Sequence, residues 1–424
     1  MPIIKPFKAM RFTDEKDIKQ LTCPPYDIVS PTQRQQYIKA NPHNIIRLEL
    51  PLEDGEQRYQ TAAKLLKEWL NQEVLACDDK EGYYIYEEEF TVNGTTKAIK
   101  GIICRAMLYE FAEQMILPHE ETLSKAKTDR FNLVSATECN LSSIYSLYFD
   151  ENGSVEKIID KISQGIPEIC FTDDEQVTHR LWIVTNEQIC NKISELMKDK
   201  KFYIADGHHR YETSLNYRRH LKEQGINVTD EHSANYIMMT LVAMEDKGLV
   251  VFPTHRIIKD LPNFNLNAVL DKCEEYFSVC NIKQNEAANV LDKAYNDGKK
   301  AFVLVAPQSS TLLTLKENAL PDTLFEGKSD AYKQLDVAIL HNLILEKLFG
   351  IDKENMANQK NLIYTRSAEE AVAEVENGTA NCAFLINPTR VEEIAAVSAA
   401  GEKMPQKSTY FYPKLITGLV MNKF

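Results

Sequence analysis

Short, continuously apolar runs typical of strands alternate, in the middle of the chain, with segments that have helical spacing. The run RLWIVT at 180–185 predicts a strand, and NEQICNKISELMKD at 186–199 predicts the helix that follows it. The same pair recurs as KFYIAD at 201–206 and GHHRYETSLNYRRHLKEQG at 207–225. The middle of the chain is therefore predicted to be built from strand–helix units.

Local signals predict further elements nearer the N-terminus. Ser30 followed by Pro31 predicts a helix start, because Ser is a good N-cap and Pro suits the first helical turn. Helical spacing of apolar residues predicts a helix over Arg58–Gln72. Asn93-Gly94, between two β-rich runs, predicts a hairpin.

The second half of the chain repeats this mixture. Strands are predicted at 235–244 and at 248–258, the latter ending in Pro253-Thr254-His255-Arg256. From Leu261 to Glu317 the order is helix, helix, strand, strand, which suggests an inserted subdomain. Further on, the pattern predicts helices at 335–350 and 391–401 and a strand at 381–388.

These elements predict a mixed α/β (α+β) fold. With 424 residues, the chain is long enough for two or three domains with cores of their own. We expect an N-terminal mixed region over 1–175, a core over 176–260, an inserted α/β subdomain over 261–320 and a C-terminal α/β region over 321–424.

Composition narrows the class of protein. Hydrophobic residues make up 44% and charged residues 26% of the chain, and no apolar run is long enough to span a membrane. The N-terminal stretch lacks a secretory apolar core, so we expect a cytoplasmic protein. Nine scattered cysteines without a CxxC pair suggest reduced thiols rather than disulfides or a zinc site. The net charge of −13 makes nucleic acid an unlikely partner.

The strongest chemical signal is the stretch Asp206-Gly207-His208-His209-Arg210, between a predicted strand and a predicted helix. A helix start favours anions, Gly207 lets a ligand approach the backbone, and Arg210 can bind two oxygens at once. The two histidines add donors, and Asp206 is placed like a metal ligand or a general base. The simpler alternative is that Asp206 caps the helix and the histidines are solvated. We favour the anion site because these residues follow one another directly.

Two other polar stretches carry candidate chemistry. The segment from Leu117 to Arg130 includes His119, Glu120 and Glu121, whose carboxylates could hold a divalent cation or take a proton, or could simply form a solvated helix start. Near the C-terminus, Lys403, Lys407 and Lys414 alternate with Ser408, Thr409 and aromatic residues. This segment suits phosphate or carboxylate binding, and a surface strand is the alternative.

Isolated residues complete the candidate site as substrate contacts. The turn Cys23–Asp27 contributes Asp27, and the segment PTHR contributes Thr254, His255 and Arg256. Arg366 comes from the segment YTRS, and His119 is the last of these predicted contacts. No Walker loop, Rossmann glycine pattern or GxSxG occurs in the sequence.

The segments CPPYDIVS, LPHEET, ADGHHRYETSLNYR, PTHR, LDVAILH and MPQKSTYFYPKLITGL, in this order, resemble the domain-of-unknown-function 1015 (DUF1015) family. The stretch DGHHR also resembles the phosphate-contacting signature of the ParB/sulfiredoxin-like superfamily, which includes free-serine kinases. This resemblance implies a ParB/sulfiredoxin-like core, with Gly207, His208, His209 and Arg210 as phosphate contacts. Histidine stands where sulfiredoxin has its reactive cysteine, which argues against sulfinic acid repair.

The resemblance implies phosphoryl transfer to a small hydroxyl amino acid, with free L-serine as the expected acceptor. The expected donor is pyrophosphate or a nucleotide such as ATP or ADP, with Mg²⁺ held by Asp206 or Glu120. Asp206, Glu120 and His209 are the catalytic candidates, and Gly207, Arg210 and Lys407 the phosphate contacts. A phosphate- or nucleotide-binding regulator and a phosphohydrolase are the alternatives. We expect small molecules as partners and no association with a membrane. The composition is compatible with a homodimer.

Overall fold

The chain folds into two units, each made from separated stretches of sequence. A computed structural model of the protein describes residues 1–52, 55–120, 122 and 124–424. The first unit comprises Met1–Pro118, Thr122–Val250 and Pro413–Phe424, and the second comprises His119–Glu121 and Val251–Tyr412.

The strands up to residue 243 are β1 (Ile4–Lys5), β2 (Met10–Phe12), β3 (Leu75–Cys77), β4 (Tyr83–Val92), β5 (Thr95–Met107), β6 (Ile116–Leu117), β7 (Cys139–Asn140), β8 (Ile144–Tyr148), β9 (Ile169–Thr172), β10 (Thr178–Val184), β11 (Phe202–Asp206) and β12 (Tyr236–Ala243). The later strands are β13 (Val250–Phe252), β14 (His255–Ile258), β15 (Phe277–Ile282), β16 (Ala301–Ala306), β17 (Ser309–Leu315), β18 (Leu362–Thr365), β19 (Cys382–Leu385), β20 (Tyr410–Tyr412) and β21 (Asn422–Lys423).

The helices of the first unit are α1 (Ile18–Leu21), α2 (Pro31–Ala40), α3 (Ile46–Glu49), α4 (Gln57–Asn71), α5 (Ser124–Thr137), α6 (Glu156–Ser163), α7 (Glu187–Met197) and α8 (His208–Glu223). Those of the second unit are α9 (Leu266–Cys273), α10 (Ala287–Asn296), α11 (Asp330–Lys333), α12 (Asp336–Ile339), α13 (Lys353–Asn358), α14 (Ala368–Glu376) and α15 (Val391–Ala399). A π-helix over Leu340–Leu348 continues α12. Short 3-10 turns cover Phe111–Glu113, Ser233–Asn235, Gln284–Glu286 and Asp322–Phe325.

The first unit is built on a large mixed sheet in the order β6-β11-β8-β12-β5-β4-β10-β9, with β1 also paired to β5. The pairs β11/β6 and β12/β8 are parallel, and the other neighbours are antiparallel. Strand β11 therefore lies between β6 and β8. Its last residue, Asp206, is followed by Gly207 and then by the first residue of α8.

Both faces of this sheet are covered by apolar cores. Tyr84 and Tyr86 pack into one core, while Tyr83 and Ile85 pack into the other. Successive side chains of a strand point to opposite faces, so a strand that is covered on both sides is nearly continuously apolar. This explains the run YYIY at the start of β4.

The second unit contains an antiparallel sheet in the order β15-β17-β16-β19-β14-β18. The region 261–320 supplies β15, β16 and β17, and these share the sheet with strands from before and after that region. Its core includes Ile257, Val303 and Leu385. The sheet thus joins regions that the sequence pattern delimits separately.

The mixed α/β class is confirmed, and so are many of the predicted elements. Ser30 caps α2 with a reciprocal capping box to Gln33, and the hairpin turns at Asn93-Gly94 between β4 and β5. Two details differ. The predicted strand at 248–258 is broken at Pro253, so that His255 begins a strand of its own, and the strand β15 was missed. In the described residues, no helix has the length and apolar character that crossing a membrane requires.

Candidate functional site

The predicted anion site is a sharp turn between β11 and α8. Gly207 joins them with a left-handed backbone (φ +95°), and α8 begins at His208. A Cβ atom at this position would lie 2.9 Å from Cδ1 of Ile144 and 3.0 Å from Nη2 of Arg210. Both the backbone angle and the crowding therefore require glycine here.

Three charged side chains meet at this turn. Nη2 of Arg210 donates to Oδ2 of Asp206 at 2.9 Å, and Nζ of Lys414 donates to Oδ1 of the same carboxylate. The exposed fractions of these side chains are 17% for Asp206, 13% for Arg210 and 10% for Lys414. One carboxylate between two cations leaves the cluster with a net positive charge.

The two cations determine the charge state of Asp206. Burial by itself would raise the pKa of this carboxyl, but Lys414 and Arg210 more than offset it and hold the pKa well below its usual range. Asp206 is therefore ionised at neutral pH, and it is a weak proton acceptor. This favours an orienting role over that of a general base.

The guanidinium of Arg210 is held in place from a second side. Nη1 donates to Oγ of Ser142 at 2.8 Å and to the carbonyl oxygen of Ser143 at 2.7 Å. Thr240 of β12 donates to Oγ of Ser143 at 2.8 Å, which ties the loop before β8 to the sheet. The orientation of Arg210 is thus fixed by the sheet before any ligand binds.

A small cavity of about 40 Å³ lies beside Arg210. It is lined by hydroxyl, amide and charged groups, among them those of Ser142, Ser214, Asn140 and Arg130. Arg130 itself is buried and donates to Oε1 of Glu49 at 3.1 Å. The cavity therefore presents two guanidinium groups with hydroxyls between them.

The turn Cys23–Asp27 reaches the same region through its tyrosine. The guanidinium of Arg130 lies over the ring of Tyr26, 4.1 Å from its centroid. Burial raises the pKa of Tyr26 to about 12, although Arg130 and Arg210 act in the opposite direction. Asp27, the predicted substrate contact of this turn, is exposed.

The other residues of α8 differ in exposure. His208 is buried and His209 is partly exposed. One turn further on, Glu212 accepts hydrogen bonds from Thr122 at 2.8 Å and from Lys127 at 2.9 Å. Part of the predicted Leu117–Arg130 segment is therefore tied to the helix of the site, whereas Glu121 lies outside the described residues.

The remaining predicted residues lie in the second unit. His119 is buried and its Nε2 is 2.9 Å from Oγ1 of Thr409, while Oε1 of Glu120 accepts from the backbone N–H of Lys407 at 2.8 Å. Ser408 is buried and donates to the carbonyl oxygen of Pro405. The LPHEET and MPQKST motifs thus contact each other, although they are far apart in the sequence.

Three residues of the segment PTHR, Thr254, His255 and Arg256, are buried in the second unit. His255 accepts from the backbone N–H of Ile386 at 3.2 Å, and burial, aided by Arg256, lowers the pKa of His255 to about 4. Thr254 is buried and its carbonyl oxygen accepts from Nη1 of Arg256. Arg366 lies over the ring of Tyr410, 4.2 Å from its centroid. The predicted site residues therefore form two groups, one in each unit.

The donor atoms do not by themselves form a metal site. Both oxygens of Asp206 are engaged by cations, and Glu120 accepts from a backbone N–H. In the part of the chain that the structure describes, no group of three or more His, Cys, Asp or Glu side chains is arranged to hold a metal ion. A Mg²⁺ ion at either carboxylate would need most of its ligands from substrate and water.

One contribution to the first group was missing from the sequence prediction. Lys414 was among the lysines of the C-terminal segment that the sequence suggested for phosphate or carboxylate binding, and it contacts Asp206. Ser142 and Ser143 carry no signal in the sequence, because an ordinary pair of serines becomes notable only when the fold places it beside Arg210.

Comparison with solved structures gives distant likenesses. A mutant of a free serine kinase in complex with AMP is 14% identical, with 77% of this chain and 91% of that chain covered and a TM-score of 0.39. A conserved hypothetical protein from Pyrococcus furiosus is 17% identical (76% and 95% covered, TM-score 0.35), and SbnI with a C-terminal truncation from Staphylococcus aureus is 11% identical (74% and 85% covered, TM-score 0.36). Superpositions this loose carry no argument about function.

Sequence comparison is informative at the level of the family. A search of curated proteins gives no significant match. The family model that is described as a protein of unknown function, DUF1015, matches residues 4–338, which is well over half of the chain. The chain therefore belongs to the DUF1015 family.

Proposed function

We propose that the protein transfers a phosphoryl group from pyrophosphate or a nucleotide to a small hydroxyl amino acid, with free L-serine giving O-phosphoserine. The observation that carries the proposal is the state of Arg210. Its hydrogen bonds to Asp206, Ser142 and Ser143 use at most three of the five guanidinium N–H groups, all on the two Nη atoms. Nε–H and one Nη2–H are left, with no acceptor among the described residues.

These two donors suit a phosphate. In a guanidinium group, Nε–H and one of the two Nη2–H bonds point the same way, which is the geometry of bidentate oxyanion binding, and Asp206 takes only one of the Nη2 donors. These donors belong to a residue in the first turn of α8, where the helix dipole adds positive potential. Lys414 supplies a second cation within the same cluster. An incoming phosphate would meet two cations and one carboxylate.

Phosphoryl transfer asks mainly for positioning and neutralisation of charge. In the proposal, Arg210 and the Gly207 turn hold the transferred phosphate, and the ionised Asp206 fixes both cations. His209, which is partly exposed, is the candidate to take the proton of the acceptor hydroxyl. The contributions of Glu120, Lys407, Ser408 and Thr409 stay predictions.

The donor and the metal are the finer parts of the proposal. A donor as small as pyrophosphate is consistent with the lack of a Walker loop or a Rossmann fingerprint in the sequence. Mg²⁺ would arrive as the counter-ion of the donor's phosphates, as is usual for this ion. No step of the proposal depends on Asp206 or Glu120 as its ligand.

Phosphorus NMR with L-serine and Mg²⁺, and with pyrophosphate, ATP or ADP in turn, tests the proposal. We expect a phosphoserine signal with one donor, and a rate about 100-fold lower in Arg210→Ala, the scale for the loss of a preorganised charge donor. Arg219→Ala is the matched control, since Arg219 lies on the same helix with 52% of its side chain exposed. Circular dichroism checks that both variants fold.

The same tubes separate the alternatives. Orthophosphate without phosphoserine would replace the kinase proposal with a phosphohydrolase. Unchanged donors, together with calorimetric binding of a nucleotide or pyrophosphate that Arg210→Ala abolishes, would indicate a binding regulator. If no donor is consumed and none binds, the proposal of a phosphate site at this turn is wrong.

A further inference from the structure

The second unit contains a cavity of about 380 Å³, within the range of small-molecule sites, roughly 300–1,000 Å³. Its lining combines aromatic and apolar side chains with several charged and amide groups, among them Tyr332, Met356, Lys353, His341, Tyr364 and Lys403. The proposed phosphoryl transfer site uses none of these residues. The cavity is thus a candidate site on its own.

A buried positive charge, that of Arg256, contacts two of the residues that line the cavity. Arg256 is fully buried, and its hydrogen bonds go to the carbonyl oxygens of Thr254 and Lys407 and to the ring of His341. Its guanidinium also lies 5.1 Å from the ring centroid of Tyr364. All of these partners are neutral, and no described carboxylate lies within ion-pair distance of Arg256, although the charge of Glu120 acts on it from farther away. A buried charge whose counter-charge is only distant is costly, so an anion nearby is favoured.

The hydrogen bond from Arg256 also fixes the tautomer of His341. Nη2 and Nε of Arg256 approach Nε2 of His341 at 3.0 and 3.3 Å, so this nitrogen is the acceptor. Burial, and then the charge of Arg256, hold the pKa of His341 well below its usual range, and the ring is neutral. Its proton therefore sits on Nδ1, a donor for which the described residues offer no acceptor.

Tyr364 presents a second such donor. Its hydroxyl oxygen is buried and has no hydrogen-bond partner in the described part of the chain. Tyr364 lines the cavity, as His341 does, and both contact Arg256, while the Tyr364 hydroxyl itself has almost no exposed surface. Buried polar atoms without a hydrogen-bond partner are uncommon in proteins, and a bound ligand would supply the partner that these two donors lack.

The charged groups of the lining point to the same kind of ligand. Lys328, Lys353 and Lys403 line the cavity together with Glu346 and Glu354, and Lys328 is also ion-paired with Glu402 at 3.6 Å. The two carboxylates would repel a bare anion but accept hydrogen bonds from hydroxyl or amino groups. They therefore favour an anion that carries such groups.

The backbone is unusual at the same place. His341, Asn342 and Glu346 come from the π-helix Leu340–Leu348, which continues α12. π-Helical turns are rare and are frequent at functional sites. The sequence pattern predicts an ordinary helix here, so the local departure coincides with the cavity wall.

We propose that this cavity is a second anion site, which binds a small metabolite that carries a phosphate or a carboxylate together with hydroxyl or amino groups. Nδ1–H of His341 donates to the oxyanion, the hydroxyl of Tyr364 turns toward the cavity to do the same, and Lys353 and Lys403 flank it. Arg256 acts through the wall as a positioning charge and does not touch the ligand.

Isothermal titration calorimetry with AMP, L-glutamate and inorganic phosphate tests the proposal. We expect AMP or L-glutamate to bind more tightly than inorganic phosphate, which has no hydroxyl or amino group attached to carbon. Tyr364→Phe should weaken binding about 10-fold, the scale of one hydrogen bond to a charged group. The melting temperature of the unliganded variant should stay unchanged, because the lost hydroxyl has no partner in the described part of the protein. Lys353→Gln should weaken binding similarly, whereas Lys360→Gln, an exposed lysine near α13, should not.

Repeating the titrations in Arg210→Ala separates the two sites. Binding that survives in Arg210→Ala and is weakened by Tyr364→Phe supports the second site, and the preferred probe then identifies phosphate or carboxylate as the recognised group. Binding that is abolished by Arg210→Ala and unaffected by Tyr364→Phe would overturn it, as would the failure of all three probes to bind at millimolar concentration. A lower melting temperature of unliganded Tyr364→Phe would show that the hydroxyl has a structural partner, and would also count against the proposal.

Discussion

Substitution of Gly207 by alanine separates backbone strain from the construction of the anion site. Gly207 has φ +95°, and a Cβ atom there would lie 2.9 Å from Cδ1 of Ile144 and 3.0 Å from Nη2 of Arg210. Gly225, just beyond the other end of α8, has φ +81° and no atom within 4 Å of an added Cβ. Gly225→Ala is therefore the matched control, with similar strain and no collision.

The structure sets the size of the two effects. Alanine in a left-handed conformation costs about 1 kcal/mol, and this applies to both variants. In Gly207→Ala the guanidinium of Arg210 has to move, and its hydrogen bond to Asp206 at 2.9 Å is lost or lengthened. A hydrogen bond to a charged group contributes about 1.5–3 kcal/mol. We therefore expect a loss of about 3 kcal/mol for Gly207→Ala against about 1 kcal/mol for Gly225→Ala.

Two measurements check this expectation. Urea unfolding at neutral pH gives the free energy of unfolding of both variants, and calorimetry gives their affinity for pyrophosphate. Displacement of Arg210 should weaken pyrophosphate binding at least about 10-fold in Gly207→Ala and leave Gly225→Ala unchanged. Equal losses of stability, with equal affinities, would refute the view that Arg210 is pinned at this turn.

Three further predictions concern stability. Lys414→Met leaves the carboxylate of Asp206 with one cation, and should lower the free energy of unfolding at pH 7, measured with urea, by about 3 kcal/mol. Because the pKa of Asp206 is depressed, the stability that its charge contributes is present above the usual pKa near 3.8. The difference between the variant and the wild type should therefore shrink as the pH falls below that value. Glu88 is buried and accepts a hydrogen bond from the hydroxyl of Tyr86 at 2.9 Å, and burial raises its pKa to about 8. The free energy of unfolding should therefore fall as the pH rises from about 4.5 to 8, by at most about 1.4 kcal/mol per pH unit. Glu88→Gln should flatten this dependence, and the same slope in the wild type and the variant between pH 5.5 and 8 would count against the prediction. Ser30→Ala removes the cap of α2 and should cost about 1 kcal/mol, with no effect on pyrophosphate binding.

Local sequence determined the elements whose signals act within a few residues. The cap at Ser30, the Asn93-Gly94 turn and the strand–turn–helix around Gly207 are set by backbone preferences and near-neighbour hydrogen bonds. The strand β15 was missed because it follows the helix pattern of α9 directly, without a Gly or Pro between them. The π-helix was not predicted either, since its sequence has ordinary helical spacing.

The residues of the candidate anion site were also evident in the sequence. Asp206, Gly207 and Arg210 lie within five residues, so their proximity follows from the chain itself. What they do to one another depends on residues that are distant in sequence. Lys414 comes from the C-terminal segment, and Ser142 and Ser143 come from the loop before β8.

Only the tertiary structure decided the charge state of Asp206 and which hydrogen-bond donors of Arg210 remain unused. Ionised Asp206 follows from burial between two cations, and the unused donors of Arg210 follow from which of its N–H groups the sheet and the loop engage. The environment of Arg256 beside the cavity depends in the same way on burial and on neutral hydrogen-bond partners from remote segments. Burial, electrostatic fields and hydrogen-bond geometry are sums over neighbours in space, and a sequence specifies those neighbours only through the fold.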